Sequence, residues 1–301
     1  MMSGAKPSQH GRFAFSPIVQ REPIMWPRGA RVALWLIPNV EHFVIDRPSV
    51  SITGITAGYT PDVLNYSWRD YGVRVGIWRM MEIMDRFGIR GTAALNADVC
   101  DYYPQIIEAG SAAGWEWMGH GATNSQNLAN LDEAEERTLI GSVLDRIEAA
   151  VGKRPRGWLG PALTETHNTP DLLAELGVDY VADWVNDEQP YELSVKSGRL
   201  CSIPYSIEIN DIPGFLEFKL SPVEFGQMIR DQFDVLYEDS ATNGRVMSIC
   251  LHPFLIGHPF RAKYLADALG YIASRKDVWF ATGSEIIDSF RSQTSDEAIS
   301  T

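Results

Sequence analysis

Two side chains able to bind a metal or to transfer a proton, His120 and Asn124, stand four positions apart in this chain. They follow the short apolar run at 115–118, so a strand that ended there would present both of them at its mouth. Two such residues can face one point if the backbone coils, as in many metal and acid–base sites. A turn held by side-chain-to-backbone hydrogen bonds uses the same residue types. The pair alone therefore leaves both interpretations open.

Further polar side chains follow other strand-like runs, and together they favour the chemical interpretation. Asn39 and Glu41 come after the first apolar run, Asp183 after a later one, and His252 after the run at 246–251. In a parallel α/β barrel the carboxyl ends of the strands converge on one mouth, where catalytic residues lie. Four separate segments aimed at one point predict a functional site more strongly than any one of them does.

The elements that would carry these residues alternate between strand-like and helical patterns. This alternation is typical of parallel strands covered by helices, and hence of an α/β fold. The strand-like runs are 31–38, 92–96, 115–118, 178–182, 200–204, 246–251 and 278–281.

Two helices are particularly clear from their spacing and end signals. Apolar residues recur at helical spacing over 73–87, and Gly88 is expected to end that helix. Asp132 and Glu135 form a capping-box pattern that predicts a helix running toward Gly152.

Length and composition bound the domain organisation. The chain has 301 residues, 45% of them hydrophobic, and we find no linker, repeat or charge block that divides it. We therefore expect a single barrel domain at 31–290, an N-terminal extension at 1–30 and a disordered tail at 291–301. The polar and aromatic segment at 48–70 would be a lid or a subunit contact.

Charge, hydropathy and cysteine spacing exclude several classes of function. The net charge of -13 disfavours nucleic acid and anionic membranes as partners. The longest apolar run, 32–38, is too short to span a bilayer, and the first thirty residues lack the apolar region of a signal peptide. Three distant cysteines form no Cys-x-x-Cys pair, so neither disulfides nor a thiolate zinc site is indicated. These features predict a cytoplasmic protein that acts on a small molecule.

Several short motifs stand in a definite order along the chain and carry a family resemblance. They are Asn39-Val40-Glu41, Trp115 to Gly121, Arg154 to Trp158, Asp183 to Asp187, Pro204 to Asp211 and Leu251 to Arg261. In this order they resemble the polysaccharide-deacetylase superfamily, and most closely its branch of cofactor-independent allantoinases and related cyclic-imide or peptidoglycan-type deacetylases. The resemblance runs from about 31 to about 287. It implies a distorted (β/α)7-type barrel, hydrolysis of a non-peptide C–N bond, and a homo-oligomer, either a dimer or a tetramer.

The same resemblance implies a metal site whose ligands are altered. Glu41 falls where metal-binding members place an Asp, His120 falls on the first metal His, and Asn124 falls where a second His is expected. Because Asn is a weaker ligand than imidazole, we expect no cofactor or one weakly held divalent metal, with zinc as the expected ion. If a metal is bound, its ligands would be Glu41, His120 and Asn124.

The catalytic groups follow from the resemblance and from the residue types. Asn39 stands where metal-dependent relatives carry an Asp base, and an amide cannot take a proton from water at neutral pH. Glu41 is therefore the expected base, with a pKa raised if it is buried against an apolar wall such as Trp158. His252 is the expected general acid for the leaving nitrogen, and Asp183 is expected to orient it. A buried carboxylate or a strand-end histidine bonded to backbone would be the non-catalytic alternative.

Five residues are predicted to contact the substrate. A guanidinium can grip a carbonyl or a carboxylate with two parallel hydrogen bonds, and an aromatic wall suits a small flat ring. An ordinary surface arginine and an ordinary core tryptophan would have the same residue types. The predicted set is Asn39, Arg156, Trp158, Glu208 and Asp211.

Three functions remain open from the sequence. The first is a cytosolic hydrolase that opens a cyclic ureide or imide, and the second is a metal-dependent N-deacetylase of a sugar or peptidoglycan-type substrate. The third is a binding protein on a hydrolase scaffold, suggested by the two amides at 39 and 124. Retention of His252, Asp183 and Glu41 weighs against the third, because a binding pocket needs no acid with an orienting carboxylate.

Overall fold

The computed structural model describes residues 10–47, 54–126 and 128–294. Two π-helical turns occur in it, Gly72–Gly76 between the first two α-helices and Pro213–Glu217 before the seventh. The strands are β1 (Val32–Val40), β2 (Thr92–Leu95), β3 (Glu116–Gly119), β4 (Gly157–Trp158), β5 (Tyr180–Val181), β6 (Tyr191–Leu193), β7 (Leu200–Ser202), β8 (Arg245–Leu251) and β9 (Val278–Phe280). The helices are α1 (Val63–Tyr71), α2 (Ile77–Arg86), α3 (Ala97–Tyr102), α4 (Pro104–Ala112), α5 (Glu133–Val151), α6 (Thr169–Glu175), α7 (Pro222–Asp239), α8 (Pro253–Ile256), α9 (Pro259–Ala273) and α10 (Gly283–Thr294).

Parallel strands in the order β7-β5-β4-β3-β2-β1-β8 form the continuous part of the sheet. β6 is added antiparallel at the β7 edge, and β9 pairs with the beginning of β1. A parallel bridge between Asn210 and Cys250 brings the chain beyond β7 against β8, so the sheet curls toward closure. The predicted single-domain α/β fold with a distorted (β/α)7-type barrel is confirmed.

The strand β1 lies between β2 and β8 and is buried along its whole length. Its run is apolar except for Asn39, as expected for a parallel strand covered on both faces. Val32 to Pro38 pair with β8, and the last two residues of β1 pair with β2. Because these neighbours run in the same direction, the residues that follow β1 and β8 emerge side by side.

Two glycines allow the helical segment that contains α1 and α2 to pack directly on α8. A Cβ atom on Gly76 would lie 2.0 Å from the carbonyl oxygen of Pro253, and one on Gly72 would lie 2.8 Å from the backbone nitrogen of Phe254. Both distances are too short for any side chain, so glycine is required at these close approaches. The glycines thereby hold α1 against the turn that follows β8.

The clearest helix predictions are confirmed. The helix expected at 73–87 forms as the first π-helical turn together with α2, and Gly88 ends it with a φ of +64°. Asp132 and Glu135 make the complete capping box of α5, and Gly152 follows that helix in the left-handed conformation. Local end signals were sufficient here because each depends on only a few neighbouring residues.

The two chain ends differ from the simple extension and tail that were expected. Trp26 is only 2% exposed and its indole donates a hydrogen bond to the carbonyl of Arg245, so part of the N-terminal extension packs into the core. α10 continues to Thr294, which makes 291–294 helical rather than disordered. Residues 295–301 of the expected tail, and 48–53 of the expected lid or subunit contact, lie outside the described residues.

Membrane and disulfide features of the described chain are simple. Among these residues, no helix combines the length and the apolar character needed to cross a bilayer. The three cysteine thiols are free, with Cys201 and Cys250 buried and Cys100 half-buried.

Candidate active site

One carboxylate oxygen, Oε1 of Glu41, is the point on which the candidate site converges. The side-chain NH2 group of Asn124 donates a hydrogen bond to it. The Nε2 atoms of His120 and His252 each lie 3.6 Å from the same oxygen. The Glu41 side chain is only 6% exposed, so these groups meet away from bulk water. A carboxylate flanked by two imidazoles is a set of groups that can both accept and donate protons.

The strand register explains why these side chains meet. Glu41 follows β1 directly, His120 follows β3, and His252 follows β8. These strands occupy neighbouring positions in the order β3-β2-β1-β8, so their carboxyl ends lie along one edge. These three residues and Asn124 therefore lie close together, as the argument from strand ends predicted.

The orientation of the His120 ring is fixed by a backbone carbonyl. Its Nδ1 atom lies 2.7 Å from the carbonyl oxygen of Leu159, which can only accept a hydrogen bond. Nδ1 must therefore carry the proton, and in the neutral ring Nε2 keeps its lone pair. Nε2 faces Glu41, so it is the nitrogen that His120 presents to the site.

His252 is held by Asp211 rather than by the expected Asp183. Its Nδ1 atom lies 2.7 Å from Oδ1 of Asp211. The Asp211 carboxylate also accepts hydrogen bonds from the backbone N–H groups of His252 and of Ile256. With no exposed surface on its side chain, Asp211 fixes the His252 ring and directs Nε2 toward Glu41.

The charges of the site oppose the effects of burial. Burial by itself raises the pKa of Glu41, but the charge of His252, the His120 side chain and the charge of Arg69 outweigh it, so the pKa lies below its ordinary value. Burial lowers the pKa of His252, but Glu41 and Asp211 outweigh that effect and the pKa is raised. The raised pKa expected for Glu41 is thus wrong, because cationic neighbours rather than an apolar wall surround it.

The amide of Asn124 is oriented by Asn96, a residue that sequence reasoning missed. Oδ1 of Asn96 accepts hydrogen bonds from two backbone N–H groups, those of His42 (2.8 Å) and Asn124 (3.0 Å), which identifies that atom as the oxygen. Nδ2 of Asn96 must then be the donor to Oδ1 of Asn124, 2.9 Å away. This leaves the NH2 group of Asn124 facing Glu41.

This orientation bears directly on the expected metal site. A structural or catalytic zinc ion needs about three protein ligands with lone pairs directed at it. Glu41 and His120 could supply two, but Asn124 presents N–H donors, which cannot ligate a cation. Among the described residues no group of three His, Cys, Asp or Glu side chains is placed to hold a metal ion. The donor set therefore does not fit a three-ligand zinc site.

Asp183 lies at the barrel mouth but in a different cluster. Its Oδ1 atom accepts a hydrogen bond of 2.7 Å from the backbone N–H of Gly160. Burial raises the pKa of the neighbouring Glu165 to about 7, and burial together with the charge of Glu165 raises the pKa of Asp183 well above its usual range. Burial thus favours the protonated form of both carboxyl groups. The expected contact of Asp183 with His252 is replaced by that of Asp211.

Arg156, expected to contact the substrate, lies at the opposite end of the strands. It immediately precedes β4, whereas the site lies beyond the carboxyl ends of the strands. Its guanidinium pairs with Asp179 at 2.5 Å and with Asp288 at 2.6 Å. These ion pairs saturate the arginine about one strand length from the mouth, so it does not reach the site.

The other expected substrate contacts are also distributed differently. Trp158 is fully buried and fills the space above Gly119 in the core. Glu208 is exposed and lines a separate cavity of about 280 Å³. Asn39 is 2% exposed, and its amide is bonded to the Tyr205 hydroxyl at 3.2 Å. Asp211 alone of this predicted set touches a residue of the site.

Arg69 is a further residue that the sequence did not single out. It lies on α1, is 8% exposed, and its charge acts on both Glu41 and His252. It belongs to the segment whose role as lid or subunit contact was left open. Its sequence surroundings carry no motif, so only the packing of α1 on α8 brings it to the site.

Comparison with known proteins gives consistent results. A family model described as polysaccharide deacetylase matches residues 63–181. A putative polysaccharide deacetylase of Schizosaccharomyces pombe is 29% identical over 238 residues, which cover 72% of this chain and 73% of that protein. The resemblance expected from the motifs is confirmed.

Two solved structures have the same overall architecture. A probable polysaccharide deacetylase from Pseudomonas aeruginosa PAO1 is 28% identical with a TM-score of 0.83, covering 91% of this chain and 96% of that one. PuuE allantoinase is 27% identical with a TM-score of 0.83, covering 91% of this chain and 95% of that one. The similarity thus extends over nearly the whole length of each protein.

Proposed function

We propose that this chain is a member of the polysaccharide-deacetylase superfamily that hydrolyses carbon–nitrogen bonds other than peptide bonds, and that it opens the ring of a cyclic ureide or imide. The observation that carries the proposal is the orientation of Asn124, whose NH2 group faces Glu41 where a ligand would be needed. The site then works with Glu41, His120 and His252 as its reacting groups. The similarity to an allantoinase over 91% of the chain supports a small cyclic amide as substrate.

His252 is the general acid in this proposal. Asp211 holds its Nδ1–H, and the raised pKa favours the protonated ring, with a second proton on Nε2. When the C–N bond of the ring breaks, the departing nitrogen takes this proton. An imidazolium suits the task because its pKa lies close to the working pH.

Glu41 accepts the proton of the attacking water. Its lowered pKa keeps it ionised throughout the neutral range, and the NH2 group of Asn124 fixes its position. The lone pair on Nε2 of His120 accepts a second hydrogen bond from the same water and turns it toward the carbonyl carbon. Water thus adds to the carbonyl while the ring nitrogen leaves, giving a carboxylate and an open-chain amide.

A metal-dependent N-deacetylase of a sugar or peptidoglycan-type substrate is the alternative. It is favoured by the family model and by the yeast relative, both described as polysaccharide deacetylases. Such an enzyme would need Asn124 to turn its oxygen toward a cation. That rotation would place the NH2 group of Asn124 against the NH2 group of Asn96, which costs a hydrogen bond on each.

Metal dependence separates the two functions. We expect chelator-treated protein, verified by elemental analysis, to open succinimide, hydantoin or allantoin at the rate of untreated protein, and to leave N-acetylglucosamine oligomers intact. Asn124→His is the matched variant, since it adds a third lone-pair ligand beside Glu41 and His120. It should bind Zn²⁺ at least about tenfold more tightly than the natural protein.

Each other outcome of that assay has a definite meaning. Deacetylation of the oligomers that is lost with the metal would establish the alternative function. Turnover of none of these compounds, with or without added Zn²⁺, would instead support the binding protein on a hydrolase scaffold.

The pH dependence follows from the two opposed pKa shifts. Activity requires ionised Glu41 and protonated His252, so it is lost as pH falls through the lowered pKa of the former and as pH rises through the raised pKa of the latter. We therefore expect a bell-shaped profile of kcat/KM whose alkaline limb lies above about 6.5, the ordinary histidine value, and whose acid limb lies below about 4.5. A profile that rises through the neutral range to a plateau at alkaline pH would contradict an imidazolium acid.

A further inference from the structure

The guanidinium of Arg69 is buried beside the site, and no hydrogen-bond partner for its Nε atom is found among the described residues. Its residue is 8% exposed, and its Nε atom is enclosed by protein with no acceptor in reach. Within the described part of the chain, no carboxylate or carbonyl pairs with its Nη atoms. The cation lies over the ring of Phe43, 4.0 Å from its centroid.

Two elements hold this cation at the reacting groups. Phe43 follows Glu41 by two residues, so the ring that supports the guanidinium belongs to the same loop as the carboxylate. α1 begins at its cap residue Asp62 and is packed on α8 through Gly72 and Gly76. Arg69 is therefore fixed relative to both Glu41 and His252, and its charge acts on both.

Such an arrangement is unfavourable for the folded protein by itself. A buried charge without hydrogen-bonded partners carries a desolvation penalty that distant carboxylates offset only in part. Burial lowers the pKa of Arg69 to about 10, against the raising effects of Glu41 and Asp62, so the group is still cationic at neutral pH. A buried cation whose Nε atom has no acceptor calls for a ligand that brings oxygen acceptors.

We propose that Arg69 binds the oxygen of the carbonyl that is attacked, and then the carboxylate that hydrolysis leaves. The inference rests on the proposed function, since the reacting carbon must lie between Glu41, which activates the water, and His252, which protonates the nitrogen. The charge of Arg69 acts on both of these groups, so the guanidinium is close enough to the reacting carbon to receive the carbonyl oxygen in this proposal. As that oxygen gains charge, its attraction to the guanidinium increases, and the planar product carboxylate fits the guanidinium fork with two hydrogen bonds.

The chemistry of the step balances without any further reactant. Water adds through its oxygen to the carbonyl carbon, and its proton passes to Glu41. The C–N bond breaks and the nitrogen takes the proton of His252. The new carboxyl group loses its proton at neutral pH, and the resulting carboxylate remains paired with Arg69 until it is released.

The test compares Arg69→Met and Arg69→Lys with a matched control, Arg74→Met. Arg74 lies on the adjoining π-helical turn, its side chain is 73% exposed, and it pairs only loosely with Asp70 at 3.7 Å. Calorimetric titration with succinamate, the ring-opened form of succinimide, measures carboxylate binding without turnover. Steady-state kinetics with succinimide and thermal melting complete the comparison.

We expect Arg69→Met to weaken succinamate binding at least tenfold and to lower kcat by about 10²–10³-fold with KM changed less than about threefold. Arg69→Lys should have a succinamate affinity and a kcat between those of Arg69→Met and the natural protein, because lysine keeps the charge but lacks the planar guanidinium. The melting temperature of Arg69→Met should equal or exceed that of the natural protein, since a buried unpaired cation is removed. Arg74→Met should match the natural protein in all three measurements.

Three results would overturn the proposal. They are natural protein that does not bind succinamate, Arg69→Met that binds it as well as the natural protein, and Arg69→Met that melts at a lower temperature while its binding and kcat are unchanged. The binding arm is independent of the proposed function, because it needs no turnover. Natural protein that binds succinamate through Arg69 yet opens no ring would refute the cyclic-amide activity while leaving the carboxylate site in place.

Discussion

Replacing Glu41 with Gln is expected to lower kcat by about 10³-fold for the ring-opening reaction, with KM changed only slightly. The amide cannot take a proton from water, and general acid–base groups typically contribute 10²- to 10⁴-fold. Gln also removes the anion that faces both imidazoles at 3.6 Å, so His252 loses part of the attraction that raises its pKa. The alkaline limb of the remaining activity should therefore move to lower pH.

Rates measured for Glu41→Gln need a control for the general effect of removing a carboxylate from this acidic chain. Glu108→Gln provides it, because Glu108 is exposed on α4. We expect that control to keep the natural kcat. If Glu41→Gln retained more than about a tenth of the natural rate, the proton acceptor would have to be another group, and Nε2 of His120 would be the first to examine.

Asp211→Asn is the second substitution with a large expected effect, a loss of about 10²-fold or more in kcat. Two backbone N–H groups require an oxygen at this position, so the NH2 group of the new amide would turn toward Nδ1 of His252. An imidazole that accepts at Nδ1 is neutral and can offer only the poorly acidic proton on Nε2. The alkaline limb should also shift to lower pH, since the carboxylate that raises the pKa of His252 is gone.

The comparison with Asp183→Asn decides which carboxylate supports the acid. Asp183 accepts a hydrogen bond from the backbone of Gly160, and burial together with the charge of Glu165 raises its pKa, so its substitution should reduce kcat by less than Asp211→Asn does and leave the alkaline limb in place. A larger loss for Asp183→Asn, with a shifted alkaline limb, would restore the assignment made from the sequence. Measuring the pH profiles of the two variants with one substrate is sufficient to decide between the two carboxylates.

The fold and the centre of the site could be predicted because both depend on strand ends. Glu41, His120 and His252 each follow an apolar run directly, and the parallel topology brings such positions to one edge. Arg156 was assigned from its motif without regard to the direction of its strand. It precedes β4 and must therefore lie at the other edge of the sheet. Its place before the strand was sufficient to exclude Arg156 from the site.

The supporting residues could not be predicted because they depend on distances that no local pattern encodes. Asp211 reaches His252 across 41 residues of sequence, through a chain that crosses from beyond β7 to β8. Asp183 also follows a strand, but β5 is separated from β8 by β4, β3, β2 and β1. Arg69 reaches the site only through the packing of α1 on α8. Sequence order says which residues share the mouth, but it does not say which of them touch.

Gly76 determines how closely the helix that carries Arg69 approaches the turn that follows His252. A single carbon added there would collide with the Pro253 carbonyl at 2.0 Å, so the helix carrying the cation and the turn carrying the acid would have to move apart. The separation of these two elements therefore depends on the absence of a side chain at position 76. A larger residue at position 76 would therefore displace Arg69 from His252 although it touches neither of them.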